Sequence, residues 1–182
     1  MTKTVPHDIK RTLIFLRRDN EILLALKKRG FGMGKWNGAG GKLEADETVE
    51  QALVRETEEE IGVTPLQYEK VAELDFIQDA DTPDPWHMYV YVYLCNEWNG
   101  EPTESEEMAP RWYALDQIPY DNMWEDDRYW LPQVLAGERV TGVFTFDASD
   151  HMVTHDIRLA DVEQPIIGVK ARVEQIMANP QD

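Results

Sequence analysis

One cysteine stands in the 182 residues, Cys95, so no intramolecular disulfide can form. It lies in the apolar run Met88–Cys95 and reads as a buried strand residue rather than a nucleophile. Histidine is scarce as well. The four present show no zinc spacing with cysteine, and His151 and His155 flank a strand-like run. No apolar stretch is long enough to span a bilayer, and Met1–Lys10 lacks the apolar core of a signal peptide. Cationic residues are outnumbered, 18 Lys and Arg against 35 Asp and Glu, for a formal net charge of −17. That balance argues against duplex nucleic acid or an anionic membrane as the main partner. These shortages predict a cytoplasmic, reducing compartment. The length predicts one domain over residues 1–182, expected to be a monomer.

Acid, by contrast, is abundant, and its placement between Gly41 and Val63 is informative. Thr48 followed by Gln51 is a capping-box pattern that predicts a helix start, and Gly62 suits its end. Val49, Ala52 and Leu53 form an apolar stripe, and its continuation by three or four residues reaches Glu56, Glu59 and Glu60. Carboxylates crowded on a half-buried face repel one another and lose solvation, which a divalent cation relieves. Oxygen-only ligands favour Mg²⁺, with Mn²⁺ as a substitute, over zinc. Arg55 is placed to pair with Glu59 at i+4. The alternative is a solvated acidic helix end, which would oppose the helix dipole.

Elsewhere the patterning predicts short strands at Thr12–Leu16, Glu21–Leu24, Val71–Gln78, Tyr89–Cys95 and from Arg111 to Leu115. A late hairpin is expected from Val140–Asp147 and Val153–Arg158, and a second helix from Tyr129 to Ala136. Lys27–Gly34 is a basic, glycine-containing loop, and Asp79–Pro85 an acidic, proline-containing one. Strands around one central helix with a second helix late imply an α+β sandwich. In 165–177, Ile166, Val169, Val173 and Ile176 have helical spacing, so residues 164–182 are expected to form a helical extension. It could pack on the body or serve as a dimer contact.

The spacing Gly41, five residues, Glu47, seven residues, Arg55-Glu56, then Glu59-Glu60-Ile61-Gly62-Val63 resembles the signature of the Nudix hydrolases. These enzymes use a metal to cleave nucleoside diphosphates linked to another group. The resemblance implies a Nudix-type α/β/α sandwich with a mixed central sheet. Further stretches are similar to the oxidised-purine nucleoside triphosphatase (8-oxo-dGTP diphosphatase) branch of animals. They are Lys27–Gly32, Trp36-Asn37-Gly38, Glu104–Met108 with Trp112, Leu115–Pro119 and Met123–Trp130, and the likeness spans roughly Thr12 to Val162.

That narrower resemblance implies conversion of 8-oxo-dGTP and 2-oxo-dATP to the monophosphate and pyrophosphate, sanitising the nucleotide pool. By it, the Gly40 carbonyl, Glu56 and Glu60 hold metal with Glu59 close by, Glu107 binds metal or helps activate water, and Arg55 supports the catalytic glutamates. Asn37, Asp126 and Asp127 read the purine edge, Trp124 stacks on the base, and Phe31 and Met108 complete the pocket with Thr12 nearby. Lys27 and Lys42 meet the phosphates, while Ala39, Gly40, Gly41 and Glu125 complete the expected substrate contacts. A second reading makes Asp126-Asp127 a helix cap and Trp124 core. Neighbouring functional readings are hydrolysis of a nucleotide sugar, dinucleoside polyphosphate or capped RNA, and a non-catalytic nucleotide-binding module. Departures from the branch are Thr57 where an aliphatic residue is usual, Glu125 where proline stands, the Asp79–His87 loop and the tail after Glu163.

Overall fold

A computed structural model describes residues 8–78, 81–82 and 84–160. In chain order these form β1 (Asp8–Arg18), β2 (Glu21–Lys27), β3 (Trp36–Asn37), α1 (Val49–Ile61), β4 (Thr64–Gln78) and β5 (His87–Asn99). There follow β6 (Met108–Ala114), a 3-10 turn (Tyr120–Asn122), α2 (Asp127–Leu135), β7 (Val140–Phe146) and β8 (Met152–Leu159). The helical extension expected over 164–182 lies outside the described residues.

Local chemistry accounts for α1. The Thr48 hydroxyl accepts from the Gln51 N–H at 3.2 Å, and the Gln51 side chain accepts from the Thr48 N–H at 2.9 Å, completing the capping box. Gly62 ends the helix at φ 73°, where a side chain would be strained, and its N–H donates to the Glu58 carbonyl. Leu53 and Ile61 are buried, each contributing roughly 1.5–3 kcal/mol. Thr57 sits on the same face, fully buried, and its hydroxyl donates to the Leu53 carbonyl at 2.6 Å. That bond satisfies the one polar atom this position adds to the core.

The strand order is β3-β2-β1-β5-β4-β7-β8, with β6 on β2. β1–β5 and β4–β7 are parallel and the other pairs antiparallel, so the sheet is mixed. Its two faces bury separate cores. α1 covers Ile14, Leu16, Leu23, Tyr93 and Cys95. α2 brings Trp130, Leu131 and Val134 onto Phe15, Leu24, Leu74 and Phe144. This is the expected α/β/α sandwich.

β1 pairs with β2 only near their turn, at Arg17↔Ile22 and Arg18↔Glu21. Further back it bridges to the glycine-rich loop instead, Ile14 to Ala39 and Arg11 to Lys42. The sheet therefore forks, and the fork is where the cavities described below open. Several elements begin earlier than their patterning suggests, among them β1 at Asp8, β5 at His87 and β6 at Met108. β4 starts at Thr64 because Pro65 and register shifts up to Lys70/Ala72 break the alternation that marks a strand. α2 starts at Asp127 rather than Tyr129, since Asp127 N–H already donates to the Trp124 carbonyl at 3.1 Å.

Candidate active site

The glycine-rich loop and α1 meet face to face. Arg55 is the hub of that contact. Its guanidinium donates to Glu47 at 2.7 and 2.9 Å, to the Lys42 carbonyl at 3.1 Å, to Glu56 at 2.9 Å and to Glu59 at 3.3 Å. The expected i+4 pair is thus its longest bond. Glu47, six residues past the loop's last glycine, is the stronger partner, and Arg55 holds its carboxyl down at about 2. A planar fork bonded on several sides pins the loop to the helix and orients Glu56.

Glu56, Glu59 and Glu60 line one open cleft of about 610 Å³ together with Gly40, Gly41, Lys42 and Glu107. Burial raises the pKa of Glu56, against the pull of Arg55. Burial also raises that of Glu60, against the Gly40 N–H and Lys27. The Gly40 N–H donates to Glu60 at 2.9 Å, and Lys27 Nζ lies 3.4 Å from Glu60 and 3.3 Å from Glu107. Arg29 at 3.0 Å and Lys27 hold the Glu107 carboxyl below its usual range.

A hard divalent cation fits these donors. All are oxygens; Glu60 is buried and Glu56 half-buried, and neighbouring carboxylates, Glu59 and Glu107 at Glu56 and Glu56 at Glu60, add to the cost of ionising them. The loop backbone also comes so close that a Cβ on Gly41 would lie 2.3 Å from the Glu56 carboxyl carbon. Among the described residues no three carboxylate, histidine or cysteine groups already converge as a ligand cluster. Lys27 and Arg55 occupy the carboxylates instead.

Beside the cleft a more enclosed cavity of about 130 Å³ receives Thr12, Lys27, Phe31, Asn37, Met108, Trp124, Asp126 and Asp127. Residues scattered from 12 to 127 are brought together here by the fork in the sheet. Asp126 and Asp127 are buried. Asp126 sits at the cap position of α2 without making a side-chain cap bond; its carboxyl accepts from Trp130 Nε1 at 2.9 Å. Asp127 accepts from the Trp124 N–H at 3.1 Å. Burial pushes Asp126 up to about 6, helped by Glu125 and opposed by Trp130 and Lys35. Burial, then the charge of Asp126, raises Asp127 well above the carboxylate range. Such a pair shares a proton near neutrality and so presents both a donor and an acceptor.

Two expected contacts lie elsewhere. Glu125 turns away from this cavity: its carboxylate takes His151 Nδ1 at 2.9 Å and the Met152 N–H at 3.1 Å, and it lines a neighbouring groove. Ala39 is buried in the α1-side core and lines neither cavity, its N–H and carbonyl both committed to Ile14. Among the cavity-lining residues that sequence reasoning missed, Trp86 and Arg11 stand out. Trp86 packs edge-on against Phe31 and tilted against Phe146, with centroids 6.1 and 5.5 Å apart; a lone tryptophan after two prolines in an acidic loop was the signal. Arg11 lines both cavity and cleft, and nothing in its neighbours marked it out.

A carboxylate helix that fits a cation is thus joined through a forked sheet to a cavity with ring-stacking walls. A family model described as NUDIX domain matches residues 7–134, and the chain belongs to that family. It is 41% identical over 154 residues to an oxidized purine nucleoside triphosphate hydrolase of Danio rerio, covering 84% of this chain and 94% of the relative. The protein of the same description from Mus musculus is 39% identical over 150 residues, covering 82% of this chain and 94% of that relative. Among solved structures, the mutator MutT protein of Bacillus halodurans superposes with a TM-score of 0.73 at 22% identity. That match covers 86% of this chain and 99% of the other, and establishes the shared fold.

Proposed function

We propose that this protein hydrolyses oxidised purine nucleoside triphosphates, 8-oxo-dGTP and 2-oxo-dATP, to the monophosphate and pyrophosphate, with Mg²⁺ as its cation and Mn²⁺ as a substitute. The observation that carries the reading is the buried Asp126-Asp127 pair, facing the same cavity as Asn37 and Trp124 and opening toward the carboxylate cleft. The likeness to two animal oxidized purine nucleoside triphosphate hydrolases supports it.

The Gly40 carbonyl, Glu56 and Glu60 would hold the metal, with Glu59 and Glu107 at its margin. When bound, the cation supplies a water of lowered pKa and neutralises charge on the phosphates. Arg55 keeps Glu56 in place, and Lys27 and Lys42 at the cleft meet phosphate oxygens. Trp124 and Phe31, now stacked at 5.0 Å with 27° between planes, offer the faces for the base. Asp126, Asp127 and Asn37 read its edge, and Thr12, whose buried hydroxyl has no partner among the described residues, can satisfy one further polar group. The protein is read as a cytoplasmic monomer of a single domain; its lone buried Cys95 suits a reducing compartment.

The test is kcat/KM with Mg²⁺ for 8-oxo-dGTP, 2-oxo-dATP, dGTP, ADP-ribose and capped RNA. The oxidised purines are expected to lead, and preference for ADP-ribose or capped RNA overturns the assignment. Trp86 contributes to the same cavity. Trp86→Ala is expected to raise KM for 8-oxo-dGTP by about 3–10-fold, the scale of one lost aromatic contact, with little change in kcat. Steady-state kinetics would show it, and an unchanged KM removes Trp86 from the binding surface.

A further inference from the structure

Four residues line both the base cavity and the carboxylate cleft: Arg11, Lys27, Gly40 and Glu60. They mark the passage between the two spaces. A nucleotide with its base in the cavity and its scissile anhydride in the cleft must thread its sugar and first phosphate through that passage. Two of the four residues are cations, and they differ in one respect. Lys27 is committed to Glu60 and Glu107. Arg11, among the described residues, forms no side-chain hydrogen bond or ion pair, and its Nε is buried without a partner. Glu56 and Glu60 attract its charge from a distance without closing on it.

A buried, unsatisfied guanidinium donor in a native fold calls for a missing acceptor. Water could supply one, but the charge and the flat fork of donors match a phosphate better. The neighbouring carboxylates would repel a bare anion at this place, so a cation on this side of the passage has a clear electrostatic task. β1 presents Arg11 from the strand that also bridges to Lys42 in the glycine-rich loop. Its backbone is therefore held where the loop and the cavity meet.

We infer that Arg11 is a substrate-binding residue whose guanidinium takes the phosphate next to the sugar, the one kept in the monophosphate product. The inference rests on the substrate reading above and assigns to this chain a contact that its signature residues do not provide. It makes Arg11 the element that distinguishes a nucleotide from the corresponding nucleoside. The consequence extends to product release, since the monophosphate retains this contact after pyrophosphate has left.

Binding measured by calorimetry in EDTA separates this role from that of the metal. The probes are 8-oxo-dG, 8-oxo-dGMP and dGMP, with the wild type, Arg11→Gln and Arg11→Lys. The wild type is expected to bind 8-oxo-dGMP more tightly than 8-oxo-dG. Arg11→Gln is expected to weaken 8-oxo-dGMP by about 10–100-fold, the scale of a charge-assisted pair, and to leave 8-oxo-dG within about twofold. Arg11→Lys, which keeps the charge without the fork, is expected to fall between. Equal losses for nucleoside and monophosphate would make Arg11 a structural residue and overturn the inference; so would no loss for either. Wild-type affinity for dGMP equal to that for 8-oxo-dGMP overturns the oxidised-base reading alone, while a phosphate-specific loss in Arg11→Gln still upholds Arg11.

Discussion

Glu56→Gln is expected to lower kcat on 8-oxo-dGTP on the order of 10³-fold, with KM within a few-fold of wild type. The substitution keeps the size of the side chain and the acceptor that Arg55 uses at 2.9 Å, so the helix and loop stay joined. What it removes is a negative oxygen on the buried side of α1, directly against Gly41. Glu59 provides the internal comparison. Its side chain is 60% exposed against 15% for Glu56, and Glu59→Gln is expected to cost about tenfold or less. Mg²⁺ titrations of both variants alongside single-turnover rates would check the pair. Equal losses at 56 and 59 contradict the placement, and a Glu56→Gln enzyme that retains more than about a tenth of wild-type kcat excludes Glu56 from the reaction centre.

Asn substitutions at Asp126 and Asp127 carry the second large effect. Each fixes as a permanent donor a group whose proton the pair otherwise shares. Discrimination by a site of buried hydrogen-bonding groups collapses when one is left mispaired, so kcat/KM for at least one of 8-oxo-dGTP and 2-oxo-dATP is expected to fall about 100-fold. The Mg²⁺ requirement is expected to stay unchanged. In the wild type the ratio of the two substrates should drift with pH above about 6, where Asp126 loses its proton, and in the variants it should flatten.

Stability follows with the opposite sign. Both carboxyls have folded pKa values raised above the ordinary range by burial. Their favourable contribution is full below about pH 4 and is lost as pH rises through the raised values. Asn carries no charge to bury. The variants are therefore expected to melt higher than wild type at about pH 8 and level with it near pH 4. A gain in Tm with a loss of selectivity is the outcome a purely structural cap would not produce. Unchanged selectivity in both variants sinks the proposed reading of the base edge.

Reading by local pattern went furthest where the physics is local. The capping box of Thr48 and Gln51, the stop at Gly62 and the carboxylate face of α1 depend on residues three or four apart, and the structure places them as expected. The same reasoning fell short at β4, where bulges hide the first half of a strand. Arg55 shows the limit within a single motif. Its i+4 neighbour could be counted along the chain, but the bonds to Glu47 and the Lys42 carbonyl exist because a loop folds back onto the helix.

Beyond the motif, spacing could not decide which side of a strand or loop meets which cavity. Glu125 follows Trp124 directly, yet a bond to His151, 26 residues away, turns it into another groove. Trp86 reaches the base cavity from a loop for which the animal branch offers no guide. Arg11 precedes Thr12 by one residue and reaches both spaces because β1 parts from β2 there. By itself the sequence determined the helix, its caps and the family, and with the family the kind of bond cut, since each depends on residues near one another in the chain. Tertiary structure decided which distant side chains share the passage from base to phosphate, because the fork in the sheet, not the order of residues, brings them within reach.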